Sequence, residues 1–551
     1  MSPLAFAATS RLARRAAGWL AQAALAPSGW DAAGRLVLLA TSLALAGCAA
    51  LPGQVERPVS YARSDVADTR LAQVAAASTP PGQQALSGFR LLPDGSQAID
   101  ARMALIRRAE QSIDVQYYLI AGDNTGLGLM RELRDAAARG VRVRILVDDL
   151  YATGQDPLFA GLAAHANIEL RLFNPLPARK GGFAKRVALS LHDFSRINRR
   201  MHNKLFVVDG AFAIGGGRNI ADEYFGRSEP ANFIDMDILC SGPVVAELEA
   251  VFDHYWNSVH AYPVQSLVGA GFDAAAAARA FDARVSDLAA DGAPTEEDAL
   301  GQSSVSSQLA GGRIDQRFAD AQVLADAPSK VDTGGDDDGT GADETVSGAT
   351  MVLIGAARSD VLVASPYFVP GSRGIEVMKE AMSHDVRVTV MTNSLATTDE
   401  PLVHFGYARY RSALLTMGVS LFELMPSDEH KAAETTLEAH GSLGRLHAKL
   451  AVVDGRRLFI GSMNMDRRSA RWNTEVGLVI DSAEIAGDVA ALLRNERLPS
   501  SYRLRATGAG RIEWVAGSGA DEIVLAKEPD AKAGRQLRLW LTSRFVREDL
   551  L

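Results

Sequence analysis

Met201-His202-Asn203-Lys204-Leu205-Phe206-Val207-Val208-Asp209-Gly210 runs on through Ala211-Phe212-Ala213-Ile214 to Gly216-Gly217-Arg218-Asn219, and this stretch decides the fold. His202 and Lys204 are two apart, so in a strand they share one face. Leu205 to Val208 carries that strand into a core. Asp209-Gly210 between two apolar runs signals a tight hairpin. Ala211 to Ile214 returns as the paired strand and brings Gly216, Gly217 and Asn219 back beside His202 and Lys204. The glycines let backbone amides approach an anion closely.

The pattern occurs twice. His447-Ala448-Lys449 is followed by Asp454-Gly455, then Leu458-Phe459-Ile460, then Gly461-Ser462-Met463-Asn464. The spacing inside the two copies is the same, and the histidines lie 245 positions apart. The surroundings repeat as well. Gln111–Ile120 reads as a strand, Asp123 to Gly126 as a turn with Thr125 or Gly126 capping a helix to about Arg139, and Val141–Asp149 as the next strand. Asp360–Phe368, Gly374–Ser383 and Val386–Asn393 follow the same order. This is an internal duplication of a whole domain. Strands alternating with helices predict an α/β fold with a largely central sheet.

Two copies facing each other would set two imidazoles on opposite sides of one phosphorus. One attacks while the other protonates the leaving alkoxide. Phosphoryl transfer needs this in-line pair, with the phosphate charge held by positioned donors. Histidine suits both tasks because its unperturbed pKa of about 6.5 lies near working pH. Each histidine then needs an orienting carboxylate. Asn473-x-Glu475 offers one in the second copy, and Phe233-x-Asp235 occupies the matching place in the first. Asp209 and Asp454 complete the His-x-Lys-x4-Asp motif and are counted with its catalytic residues, although their place at turns points to supporting the hairpins. A lysine two residues from each histidine would repel a divalent cation, so no metal or other cofactor is expected.

The chain has 551 residues and a formal charge of −9, which suggests several domains and argues against general electrostatic binding of nucleic acid. It has two cysteines. Cys240 sits in the strand-like run Met236–Cys240 and reads as a small buried apolar group. Cys48 ends Leu45-Ala46-Gly47-Cys48, after a basic region and a short apolar run, which reads as a secretory signal. Its removal takes away four Arg and one Asp and leaves the chain near −12. The expected layout is a signal over 1–47, a tether over 48–88, a first domain over 89–267, an acidic, Gly-rich and disordered linker over 268–348, a second domain over 349–500 and an extension over 501–551.

These residues resemble the phospholipase D superfamily, whose signature is His-x-Lys-x4-Asp with a trailing Gly-Ser-x-Asn. Asp114–Tyr118, Phe194–Lys204, Val403–Arg411, Asn464–Ser469 and Asn473-Thr474-Glu475 are similar to the bacterial cardiolipin synthases of the class C type. The resemblance implies two duplicated αβα sandwich domains forming one shared active site. It implies a metal-free, two-step phosphatidyl transfer, with His202 forming a phosphatidyl-histidine and His447 serving as acid and then base. Lys204, Lys449, Asn219 and Asn464 would hold the phosphate oxygens, with Ser462 adding a hydroxyl donor. Gly217 stands where the family usually has serine, so that donor is missing from the first copy. Phospholipids are the expected substrates, phosphatidylglycerol first and phosphatidylethanolamine as a possible second; water as acceptor would make the protein a phospholipase D. Leu-Ala-Gly-Cys resembles the bacterial lipobox, which implies lipidation of Cys48 and a lipoprotein held to a membrane and facing the periplasm. Nucleic acid is not an expected partner.

One stretch carries a separate expectation. Arg179, Lys180, Lys185, Arg186, Arg196, Arg199 and Arg200 precede the first motif, with Phe183, Val187 and Leu189 among them. They are expected to meet anionic lipid head groups.

Overall fold

A computed structural model describes residues 51–529, apart from 270, 289–291, 293, 334–343, 427–442 and 509. The signal region, Cys48, most of the acidic run at 332–344 and the end of the C-terminal extension from residue 530 lie outside the described residues.

In the first half, β1 (Ser87–Leu92), β2 (Ser112–Tyr117), β3 (Arg142–Asp148), β4 (Ile168–Phe173), β5 (Leu205–Val208), β6 (Phe212–Gly216), β8 (Asp237–Ser241) and β9 (Ala261–Pro263) form one sheet; β7 (Ala231–Ile234) stands apart from it. Its order is β9-β4-β3-β2-β5-β6-β8-β1, with β2, β3 and β4 mutually parallel. β10 (Arg317–Ala325) follows. The second half then contributes β11 (Asp360–Ala364), β12 (Arg387–Asn393), β13 (Ser420–Leu424), β14 (Leu443–Leu446), β15 (Leu450–Val453), β16 (Arg457–Gly461), β17 (Val476–Asp481), β18 (Ser501–Ala506), β19 (Ile512–Ala516) and β20 (Ile523–Leu525). The series β13-β12-β11-β15-β16-β17 repeats β4-β3-β2-β5-β6-β8 pairing for pairing.

Alternation along the strands explains the layers. Phe206 and Val208 join the core under the helices Gly95–Arg108, Asn124–Ala138 and Asp156–Leu162. Leu205 and Val207 face the other way, into a core shared by the helices Pro243–Trp256 and Ala483–Leu492 and by Leu450 and Val452 of β15. Val453 and Ala451 face the outer core of the second half. Each sheet is therefore sandwiched between helices, and the inner helix layers meet in one core. No helix among the described residues is long and apolar enough to cross a membrane.

Several expectations are corrected. Asp123, not Thr125 or Gly126, caps the helix Asn124–Ala138, its carboxylate accepting from the Gly126 amide at 2.9 Å. The stretch at 48–88 is not a free tether over its described length. Arg57 donates to the Ala261 carbonyl, Ser60 and Ala62 amides reach Asn257 and Asp253, and the helix Arg70–Ser78 buries Leu71. Nor is the described part of 268–348 a disordered linker. Ala274–Ser286 is a helix that buries Phe281 and Val285, as a run of strong helix formers can. β10 pairs with the edge of each half, β1 on one side and β17 on the other, and makes the whole an 18-stranded sheet. Two exposed sheet edges need a partner, and this segment supplies it.

Candidate active site

Both hairpins form as the sequence requires. Asp209 and Gly210 have φ of 50° and 56°, and Asp454 and Gly455 have 55° and 61°, the left-handed pair of a two-residue turn. The aspartates do not enter the site, which corrects their place among the catalytic residues. Asp209 accepts from the amides of Glu110, Gln111 and Ser112 at 2.8–2.9 Å. Asp454 does the same for Arg358, Ser359 and Asp360. Each carboxylate ties its hairpin to the start of the neighbouring strand.

The halves meet through crossed backbone pairings. β7 runs parallel to β14, and the His447 amide donates to the Ile234 carbonyl at 2.7 Å. On the other side the His202 amide donates to the Thr474 carbonyl at 2.9 Å, and the Thr474 amide to Arg200. Each crossing puts the next acidic residue of one half against the histidine of the other. His447 Nδ1 lies 2.6 Å from Asp235 Oδ2, and His202 Nδ1 lies 2.9 Å from Glu475 Oε2. The two carboxylates predicted to orient the histidines do so, but not within their own copies.

A carboxylate accepts only, so Nδ1 of each ring carries the proton and Nε2 keeps its lone pair. Burial pulls both imidazoles down, His202 to about 4 and His447 to about 3, against the opposing pull of Glu475 and Asp235. Burial would raise the carboxylates, yet His447 carries Asp235 down to about 2, and His202 holds Glu475 below its ordinary value. Each pair rests as carboxylate and neutral imidazole. Burial also lowers Lys204 to about 7 and Lys449 to about 8. Each lysine's charge reaches the other half's histidine, so all four groups face one site.

The supports of the two carboxylates differ. Ser462 Oγ donates to Glu475 Oε2 at 2.5 Å and Ser469 Oγ to Oε1 at 2.7 Å. Ser462 was expected to hold phosphate; its hydroxyl is committed to Glu475 and its amide to the Val476 carbonyl. The Gly217 amide is likewise committed, to the Met236 carbonyl. Gly217 has another reason to be glycine: a Cβ there would stand 2.1 Å from Asp235 Oδ1. Asn219 and Asn464 are buried, and the Oδ1 of each has no hydrogen-bond partner among the described residues. Rotating either amide by a half turn would present N–H groups instead.

Sequence reading missed three supports. Asp326, at the end of β10, accepts from the Glu475 amide at 3.0 Å and from Lys330 Nζ at 2.7 Å. Tyr118 stands edge-on to His202 with ring centroids 5.0 Å apart, and Tyr224 does the same to His447 at 5.1 Å. Asp326 lies in the segment whose composition masked a strand, and no spacing marks a tyrosine as a ring neighbour. Two further histidines lie elsewhere: His404 meets Glu528 and Arg411, and His192 is exposed. His404, Glu423 and Glu528 form a cluster that could hold an ion, but Arg411 donates to both carboxylates and fills that place.

A family model for the cardiolipin synthase, PLD-like domain matches residues 103–256 and 351–496, one match on each half. The chain belongs to this family. It is 35% identical over 489 residues to cardiolipin synthase C of Escherichia coli (strain K12), covering 86% of this chain and 98% of the relative. It is 26% identical over 432 residues to a cardiolipin synthase of Staphylococcus aureus (strain Mu50), covering 78% of this chain and 70% of that one. The phosphatidylserine synthase of Haemophilus influenzae Rd KW20 shares the fold, with a TM-score of 0.53 at 12% identity over 88% of this chain and all of that one. Membership in the cardiolipin synthase family makes the chain a phosphatidyltransferase of the phospholipase D superfamily.

Proposed function

We propose that the protein joins two phospholipids into cardiolipin through a phosphatidyl-histidine. The observation that carries this reading is the crossed pair His202–Glu475 and His447–Asp235, which leaves Nε2 unprotonated on each ring, open on His202 and 3.2 Å from Lys449 Nζ on His447. His202 Nε2 attacks the phosphorus of a donor phospholipid, forming a P–N bond. The P–O bond to the head-group alcohol breaks, and His447, protonated when the anionic substrate is bound, gives its proton to that oxygen. Now neutral, His447 takes the proton of a phosphatidylglycerol hydroxyl as its oxygen attacks the same phosphorus. The P–N bond breaks and His202 is restored. Lys204, Lys449, Asn219 and Asn464 hold the phosphate oxygens. Phosphatidylglycerol or phosphatidylethanolamine serves as donor. Lipidation of Cys48 anchors the chain to a bacterial membrane, facing the periplasm.

The test is product analysis by thin-layer chromatography and mass spectrometry, with labelled phosphatidylglycerol, with and without phosphatidylethanolamine, in EDTA. Cardiolipin that appears with the wild type and not with His447→Ala supports the reading. Phosphatidic acid as the only product makes water the acceptor and overturns it.

A further inference from the structure

The basic stretch before the first motif does not face solvent as a charged surface. Arg179 donates to Asp149 and Asp156, and Arg186 is buried against Asp149. Arg196 pairs with Asp193, Arg199 reaches the carbonyls of Val331 and Asp332, and Arg200 is buried on Asp148. Two of the seven cations remain. Lys180 and Lys185 are exposed, with no ion-pair or hydrogen-bond partner among the described residues.

Lys185 lies on the short helix Phe183–Leu189, whose exposed face also carries Ala184, Ala188 and Leu189 and no acid. Its inner face packs Val187 on Leu176 and Ile197 in a small cluster of its own. Phe183 stacks on Tyr151, with interplanar angle 5° and centroids 6.2 Å apart. Tyr151, 45% exposed, stands edge-on to Tyr118 at 5.4 Å, and Tyr118 stands edge-on to His202. A row of three rings thus runs from this helix to a histidine that is only 7% exposed.

We infer that Phe183–Leu189 is the element by which this protein sits on an anionic phospholipid bilayer, and that the Tyr118–Tyr151–Phe183 row is the apolar ramp by which a lipid reaches His202. The inference rests on the phosphatidyl-transfer reading of that site. Lys180 and Lys185 meet the phosphates of the surface, and Leu189, Tyr151 and the two alanines meet its apolar boundary. A lipid that stays partly in the bilayer must keep its acyl chains on an apolar path up to a buried nucleophile, and the ring row provides one.

Two measurements on the full chain test this. In Leu189→Trp, the added tryptophan fluorescence, read against wild type, should shift to the blue with phosphatidylglycerol-containing vesicles and be quenched by brominated acyl chains. Unshifted, unquenched emission overturns the inference. In Lys180→Glu/Lys185→Glu, the ratio of the transfer rate on bilayer phosphatidylglycerol to the rate on dispersed short-chain phosphatidylglycerol should fall about tenfold or more. An unchanged ratio also overturns it. Quenching without turnover of either lipid would leave the docking surface standing and sink the transferase reading instead.

Discussion

Asp235 and His447 are 212 positions apart in the chain and 2.6 Å apart in the structure. Glu475 and His202 mirror them from the other side. Neither half holds a complete histidine–carboxylate pair, so each pair is made only by the crossing.

Removing either carboxylate should leave binding and remove the chemistry. Glu475→Gln and Asp235→Asn should each lower kcat by about 10²–10⁴-fold with little change in KM, the range set by a mispositioned acid or base. Adding Glu475→Gln to His202→Ala should cost almost nothing further, because without its histidine the carboxylate has nothing to orient. Steady-state kinetics of the single and double variants check this; fully multiplicative losses would mean that Glu475 acts on something other than His202.

Gly217→Ala should be damaging although glycine there has an ordinary backbone conformation. The added Cβ would drive Asp235 off His447. Activity should fall by about tenfold or more, as expected when a small displacement misaligns a reacting group. Gly217→Ser, which restores the usual family residue, should fare no better. Full activity in Gly217→Ser would show that Asp235 has room to move.

Asp209→Asn should lower stability and leave the chemistry of the folded protein intact. Its buried carboxylate accepts three backbone N–H groups, and loss of such charged hydrogen bonds costs about 2–3 kcal/mol. Denaturant midpoints and kcat per folded molecule check this. Asp454 sits below its ordinary pKa; though burial alone would raise it, the amides of Arg358 and Ser359 hold it down. Its contribution is therefore present above the unfolded carboxylate pKa and is lost as pH falls through the folded one.

The pH profile should carry a lysine limb at an unusually low value. Transfer needs a proton on His447 and none on His202, and burial pulls both imidazoles down, to about 3 and about 4, so kcat/KM should already decline from acid pH towards neutrality. Lys204 and Lys449 lose their protons near 7 and 8 in the free enzyme, and with them the charge that holds phosphate. kcat/KM should fall more steeply through that window, while a bound phosphodiester anion raises both lysines and moves the limb in kcat to higher pH. A kcat/KM profile with no steeper fall below the ordinary lysine range would show that these amines do not hold the substrate.

Much of this was legible in the sequence. The two hairpins, their Asp-Gly turns and the repeated strand order follow from local pattern, which is what period and turn chemistry encode. The duplication paired the right groups of residues. It did not reveal the crossing, because spacing within a copy carries no record of which copy a carboxylate faces. Gly217 looked like a missing hydroxyl, and Ser462 like a phosphate donor, because the neighbours that explain them arrive from Asp235 and Met236, between β7 and β8, and from Glu475. β10 was hidden by its setting. It lies among alanine, glycine and acidic runs, and its burial alternates only partly, since its strand character comes from two sheet edges that need a partner.

The borrowing of Glu475 by His202 also sets the moment at which this enzyme can first act. A ribosome that has made the first half has produced His202 without its base partner and Asp235 without its histidine. Until residue 475 has been added and the two halves have crossed, neither histidine has its carboxylate. A chain stopped before His447 holds one histidine with no carboxylate to orient it and one carboxylate with no histidine.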